Sequence, residues 1–175
     1  MHSISMGILK DLLESEAIAP AAPKAQPRNP VDHWTTPILL ERAAYLAKLA
    51  KYGDGSAKET LREFTRHCVM LSFRGRDSDA EVHEHFTNIL VVLDGVATLV
   101  TGGTVKGATK IGPGEIRGSS IEGGTQQKVR KGDVVHIPAG QPHQMLVGGE
   151  KTVTCLVLKV QETLQDGSVQ VRPAS

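Results

Sequence analysis

The chain has 175 residues and 18.7 kDa, room for one domain of ordinary size with extra segments but not for two full cores. Its 20 Lys+Arg balance 19 Asp+Glu, and neither sign is gathered into the long runs of nucleic-acid arms or acidic tails, which excludes a phosphate-backbone partner. With apolar residues at 39% and aromatics at 3%, the core is aliphatic, and 18 Gly and 9 Pro announce many turns between short strands.

Cys68 and Cys155 each sit inside an apolar run, the setting of a reduced, buried thiol, so neither a disulfide scaffold nor a cysteine zinc site is expected. No stretch approaches the roughly 18 apolar residues of a membrane span. The first twenty residues, interrupted by Lys10, Asp11 and Glu14, lack the apolar region of a secretory signal. The reading is a soluble, cytoplasmic protein without a membrane partner.

In chain order, Ile8, Leu9, Leu12 and Leu13 share one side at helical spacing with Ser5 as a cap, a short amphipathic helix over Ile8 to Ala17. Prolines 20, 23, 27, 30 and 37 then forbid helix or central strand and predict an extended arm. Thr35 offers a capping hydroxyl, Pro37 a helix start, Lys48, Lys51 and Gly53 a stop. Between them Leu39, Ala43, Leu46 and Ala50 recur on one face. That helix reads as a packing element.

From about Thr60 the period changes from helical to two. LREFTRHCVMLSFRG, NILVVLDG, VATLVTGG, QQKVRKGDVVHIPAG, HQMLVGG and KTVTCLVLKVQ are apolar runs closed by Gly, Asp or Pro, the pattern of an all-β sandwich or barrel. Asp94-Gly95 predicts a hairpin turn. Residues 102 to 127 are Gly-rich and too long for a tight turn, and read as an irregular excursion over the barrel mouth. The polar tail follows Gln161. The expected division is an arm and helix over 1–57, a barrel over 58–162 and a tail over 163–175.

Of seven histidines, His83 and His85 form an HxH in the β region, where period two points both rings to one face about 7 Å apart. Downstream, Gly132, Pro138, Gly140 and His143 form G-x5-P-x-G-x2-H, a tight turn that delivers a third imidazole to the next strand. Three neutral imidazoles at one point suit one divalent transition metal: Fe, Zn, Mn, Ni or Cu. Glu81 shares parity with the HxH and could serve as a general base or as a carboxylate ligand. Met145, two residues after His143, is placed as an apolar wall of the pocket. His136 is expected to point outward, His67 to be structural, and His2 and His33 to be solvated. Glu115 and Arg117 could reach the barrel mouth or a partner from the excursion.

The two segments resemble the paired signature motifs of the cupin superfamily, G-x5-H-x-H-x3-4-E-x6-G and G-x5-P-x-G-x2-H-x3-N, over about Thr60 to Gln161. The second motif is matched as far as His143. In the first, the position of the glutamate is taken by Asn88, and Val147 stands at the final Asn of the second. The resemblance implies an all-β, cupin-type jelly-roll β-barrel with an N-terminal helical extension. It implies His83, His85 and His143 as metal ligands, with Asn88 able to offer its amide oxygen as a fourth. It further implies a metal-dependent protein acting on a small anionic or chelating molecule, first as a three-histidine dioxygenase, an oxidoreductase. The alternatives are a cupin lyase or isomerase, or a non-catalytic metal- or ligand-binding cupin. A homodimer is expected, because jelly rolls expose sheet faces and edges that a two-fold partner covers.

Overall fold

The structure, a computed structural model, describes residues 31–149 and 151–162. The expected helix over Ile8 to Ala17, most of the proline arm, His2 and nearly all of the polar tail lie outside them. Among the described residues no helix is long and apolar enough to cross a membrane.

Helix α1 (Thr36–Tyr52) runs as the sequence predicts, and its buried residues are Leu39, Ala43, Leu46 and Ala50, the face picked out by periodicity. Thr35 stands at the N-cap but its hydroxyl makes no capping bond. The start is set by Pro37, whose fixed φ suits the first turn.

Twelve strands follow among the described residues: β1 (Ser56–Glu63), β2 (His67–Arg74), β3 (Ala80–His83), β4 (Phe86–Thr101), β5 (Thr104–Lys106), β6 (Thr109–Gly112), β7 (Glu115–Gly118), β8 (Ser120–Glu122), β9 (Thr125–Arg130), β10 (Val134–Ile137), β11 (His143–Leu146) and β12 (Val153–Gln161). The segment read as one run from Leu61 is two antiparallel strands, broken at Phe64-Thr65-Arg66 where the Phe64 N–H donates to the His67 carbonyl. His67 is therefore exposed at the start of β2, stacked on Phe64 with ring centroids 4.3 Å apart.

The Asp94-Gly95 hairpin is not formed. Gly95 does take a positive φ of 84°, but the chain continues as β4. Its pairing explains why. The first half of β4 pairs with β12 and β10, the second half with β9 and β11, and the register against β12 slips beside Gly95, between Thr154 and Cys155. A Cβ at Gly95 would collide with the Thr152 carbonyl. Gly95 is thus a bend that carries one strand from the first sheet into the second, the work of a bulge rather than a turn.

The first layer is β1-β2-β12-β4-β10 and the second is β9-β4-β11-β3-β7-β6. Between the layers pack Leu90, Val92, Ala97, Leu99, Val129, Met145 and Val153. The outer face of the first layer is also covered. Alternation along the strands sends Ala57, Leu61, Leu71, Phe73 and Leu156 outward under α1, where they meet Leu39, Ala43 and Leu46. The intervening positions, Met70, Ser72, Arg74, Cys155, Val157 and Lys159, face the barrel interior, and Lys58 lies exposed at its rim. An Arg42–Glu59 ion pair, 3.0 Å from Nε to Oε2, ties the helix to β1.

Leu71 is fully buried beneath the helix and points away from the interior. Leu71→Ala is expected to lower stability by about 3 kcal/mol in urea unfolding, the usual cost of such a cavity, while leaving ligand binding by the folded protein intact.

Candidate functional site

A cavity of about 160 Å³ lies between the layers. Its apolar lining comes from Met70, Leu90, Leu99, Met145 and Val157, and Glu81, His83, Asn88 and His143 share the rest with the charged side chains of Arg74, Arg117 and Lys159. Met145 lines it, as its parity with His143 predicts, and Cys155 lies in its wall as a free thiol pushed up to about 11 by burial.

β3 places Glu81 and His83 on the same face, two residues apart. β11 lies beside it with His143 in register with Glu81. A carboxylate oxygen and one nitrogen of each imidazole lie within 4.8 Å of one another. His83 Nε2 is 3.3 Å and His143 Nε2 3.9 Å from Glu81 Oε2. Both rings are held by their other nitrogen. His83 Nδ1 donates to Glu115 Oε2 at 2.7 Å, and His143 Nδ1 donates to the Gln141 carbonyl at 3.0 Å. With Nδ1 engaged outside, each Nε2 faces the shared point, the orientation that outer partners impose on metal-binding histidines.

His85 is not part of this group. The expectation that His83 and His85 share a face assumed an unbroken strand, but β3 ends at His83, and Glu84-His85 form the turn into β4. The change of direction sends the His85 ring against Gly114, where an added Cβ would meet it, and leaves its Nδ1 buried without a partner. The fold assembles two histidines and Glu81 instead of three histidines. Asn88 is buried on β4 in the cavity wall, and its Oδ1 has no hydrogen-bond partner. His136 is exposed on β10 and His33 is exposed ahead of α1, both away from the cavity.

Glu115 and Arg117 enter the site from the excursion. Residues 102 to 127 contain ordered short strands, and β7 pairs with β3 so that Glu115 lies opposite His83 and Arg117 opposite Glu81. Two further cations were missed in the sequence. Lys159 Nζ donates to Glu115 Oε1 at 3.1 Å and lies 3.3 Å from His83 Nδ1, while Arg74 Nη2 reaches across from the other layer to within 3.7 Å of Glu81 Oε1. Each is a charged residue at an inward position of an otherwise apolar strand, a signal available to anyone who follows the alternation.

Burial pushes the Glu81 carboxyl up. The hydrogen bond from His83 and the charges of Arg117, His143 and Arg74 outweigh that and hold it at about 2. Burial, first of all, also holds the His143 imidazole below its ordinary value, which keeps its lone pair free near neutral pH. The donor set on offer, once the proton between His83 and Glu81 is displaced, is two imidazole nitrogens and one ionised carboxylate oxygen, all within 4.8 Å of one another. These residues fit a divalent transition ion.

The two-layer topology, with a G-x5-P-x-G-x2-H turn feeding β11 and its histidine facing the cavity, makes this an antiparallel, jelly-roll-type β fold with a Glu/His/His group that could hold a metal. No family model matches the chain, and no curated protein matches it. Among solved structures, the chain is similar to the polyketide cyclase RemF from Streptomyces resistomycificus, with 17% identity over 65% of this chain and 75% of that one and a TM-score of 0.44. It is similar to the cupin domain of Schizosaccharomyces pombe Cnp3, with 11% identity over 61% and 65% and a TM-score of 0.46. A double-stranded β-helix domain protein from Klebsiella pneumoniae subsp. pneumoniae gives 14% identity over 68% and 85% and a TM-score of 0.45.

Acid should destabilise the metal-free protein in two stages. The folded His143 pKa lies below 6.5, so the unfolded chain takes up that proton first and stability falls as pH drops below about 6.5. Glu81 contributes fully above 4.5 and is lost as pH falls towards about 2. Urea midpoints followed downward from neutral pH check this, with His143→Asn expected to flatten the first stage and Glu81→Gln the second.

Proposed function

We propose that the protein is a metal-dependent enzyme acting on a small anionic or chelating molecule in the barrel cavity, with oxygen-dependent chemistry at an iron site as its first form. The observation that carries this reading is the convergence of Glu81, His83 and His143 with both Nδ1 atoms bonded outside the group. Two histidines and one carboxylate form a donor set suited to non-haem Fe(II), with coordination positions left open. A bound ion would supply Lewis acidity towards oxygen donors and, as iron, redox chemistry with O2.

The chain's own residues supply the rest. Glu115 and the Gln141 carbonyl fix the tautomers and directions of the two rings. Lys159 holds the Glu115 carboxylate in place, and Arg74 and Arg117 flank the free oxygen of Glu81. Met70, Leu90, Leu99 and Val157 exclude water from the apolar side. In this reading Glu81 is a ligand rather than a free general base. A homodimer belongs to the same proposal, supported by the unpaired outer edge of β1 among the described residues, and light scattering at defined concentrations decides it.

Anaerobic reconstitution followed by metal analysis is expected to find one ion per chain in the wild type and none in Glu81→Gln or His143→Ala. Glu115→Gln should keep the site and lower metal affinity about 10- to 100-fold. Oxygen consumption screened against diketones, thiols and aromatic hydroxy acids tests the iron reading. No uptake with any metal moves the assignment to lyase, isomerase or binding chemistry, and no stoichiometric metal overturns it altogether.

A further inference from the structure

Arg74 crosses the cavity from β2 yet is only loosely engaged. Its sole ion pair among the described residues is the 3.7 Å approach to Glu81 Oε1, and Arg117 Nε competes for that same oxygen at 3.8 Å. Arg117 has closer partners of its own, Glu115 Oε2 at 3.2 Å and the Ile116 carbonyl at 2.9 Å. Arg74 therefore presents a planar fork of five donors, suited to two parallel bonds with a carboxylate, and leaves most of it unspent. The other charged side chains in the lining are Lys58, Lys159, Arg117 and Glu81, and Glu115 stands just behind His83. Lys58 is exposed at the rim, and the three remaining cations, Arg74, Arg117 and Lys159, still outnumber the two carboxylates.

The rest of the lining limits what can supply it. Ser72 and the apolar side chains of Met70 and Val157 separate Arg74 from Asn88, whose amide is buried with Oδ1 unpartnered. A volume of about 160 Å³ is close to that of a cavity that accepts benzene, room for about six to eight non-hydrogen atoms.

We propose that the cavity selects a short-chain carboxylic acid, with the carboxylate on Arg74, the hydrocarbon along Met70 and Val157, and the far end at Asn88. Arg74 is then the specificity-determining residue. The inference takes from the proposed function only that the cavity holds a small anion, and its test separates the two.

Butanoate, butanamide and inorganic phosphate are titrated into the 15N-labelled full chain, both metal-free and metal-loaded, and followed by amide shifts. Butanoate is expected to bind about tenfold or more tightly than butanamide and to move the Ser72 and Asn88 resonances. Arg74→Gln should remove that preference in the metal-free chain, and Arg74→Lys, which keeps the charge without the fork, should restore part of it. Equal binding of butanamide, tighter binding of phosphate, shifts remote from the cavity, or unchanged butanoate affinity in Arg74→Gln each overturns the proposal. The comparison of butanoate with butanamide on the wild type stands without any variant. Failure to take up metal with the butanoate preference intact overturns the metal reading and leaves this one standing.

Discussion

The backbone of β4 serves both layers of the barrel. Its ladder bonds to β12 and β10 on one side of Gly95, and to β9 and β11 on the other, hold the layers at a fixed separation. Every feature of the site depends on that shared strand. It sets Asn88 and Leu90 in one wall and Leu99 in the opposite one, and through β11 it fixes the depth of His143. A bend that only glycine tolerates is what allows one chain segment to do this.

Within that frame the two oxygens of Glu81 face different tasks. Oε2 lies towards the two imidazoles and Oε1 towards the two guanidiniums. The hydrogen bond from His83, with the charges of Arg117, His143 and Arg74, outweighs burial and keeps the carboxylate ionised, the state in which it could hold a cation. A metal ion bound there would compete with a proton for the space between Nε2 and Oε2, which would link loading to acidity.

The layered β architecture and the helix were legible because alternation and 3.6-residue spacing are local. The turn before His143 was legible, since Pro138 and Gly140 specify it by their own dihedral preferences, and β11 begins at that histidine. What escaped was directional. Asp94-Gly95 carries the residues of a turn, but pairing with four other strands overrode that preference, and no local signal reports distant partners. His85 escaped for the complementary reason, because the two-residue turn after His83 has no glycine or proline to mark it. Glu81 was placed on the right face by parity alone. Arg74 and Lys159 lay hidden in apolar strands whose two faces are both covered, one by α1 and one by the opposite layer.

The ligand-bearing strands β3 and β11 belong to the frame, whereas the groups that tune them, Glu115 and Arg117, are supplied by an excursion that joins the second layer through β7. The three candidate donors and the charged groups around them are thus encoded in separate stretches of chain. An evolving sequence can exchange or lengthen the insert, changing ring basicity and the field around the carboxylate, while the donors and the aliphatic core stay as they are. The donors and the field around them can therefore vary separately in sequence, within the limit that β7 keeps its ladder to β3.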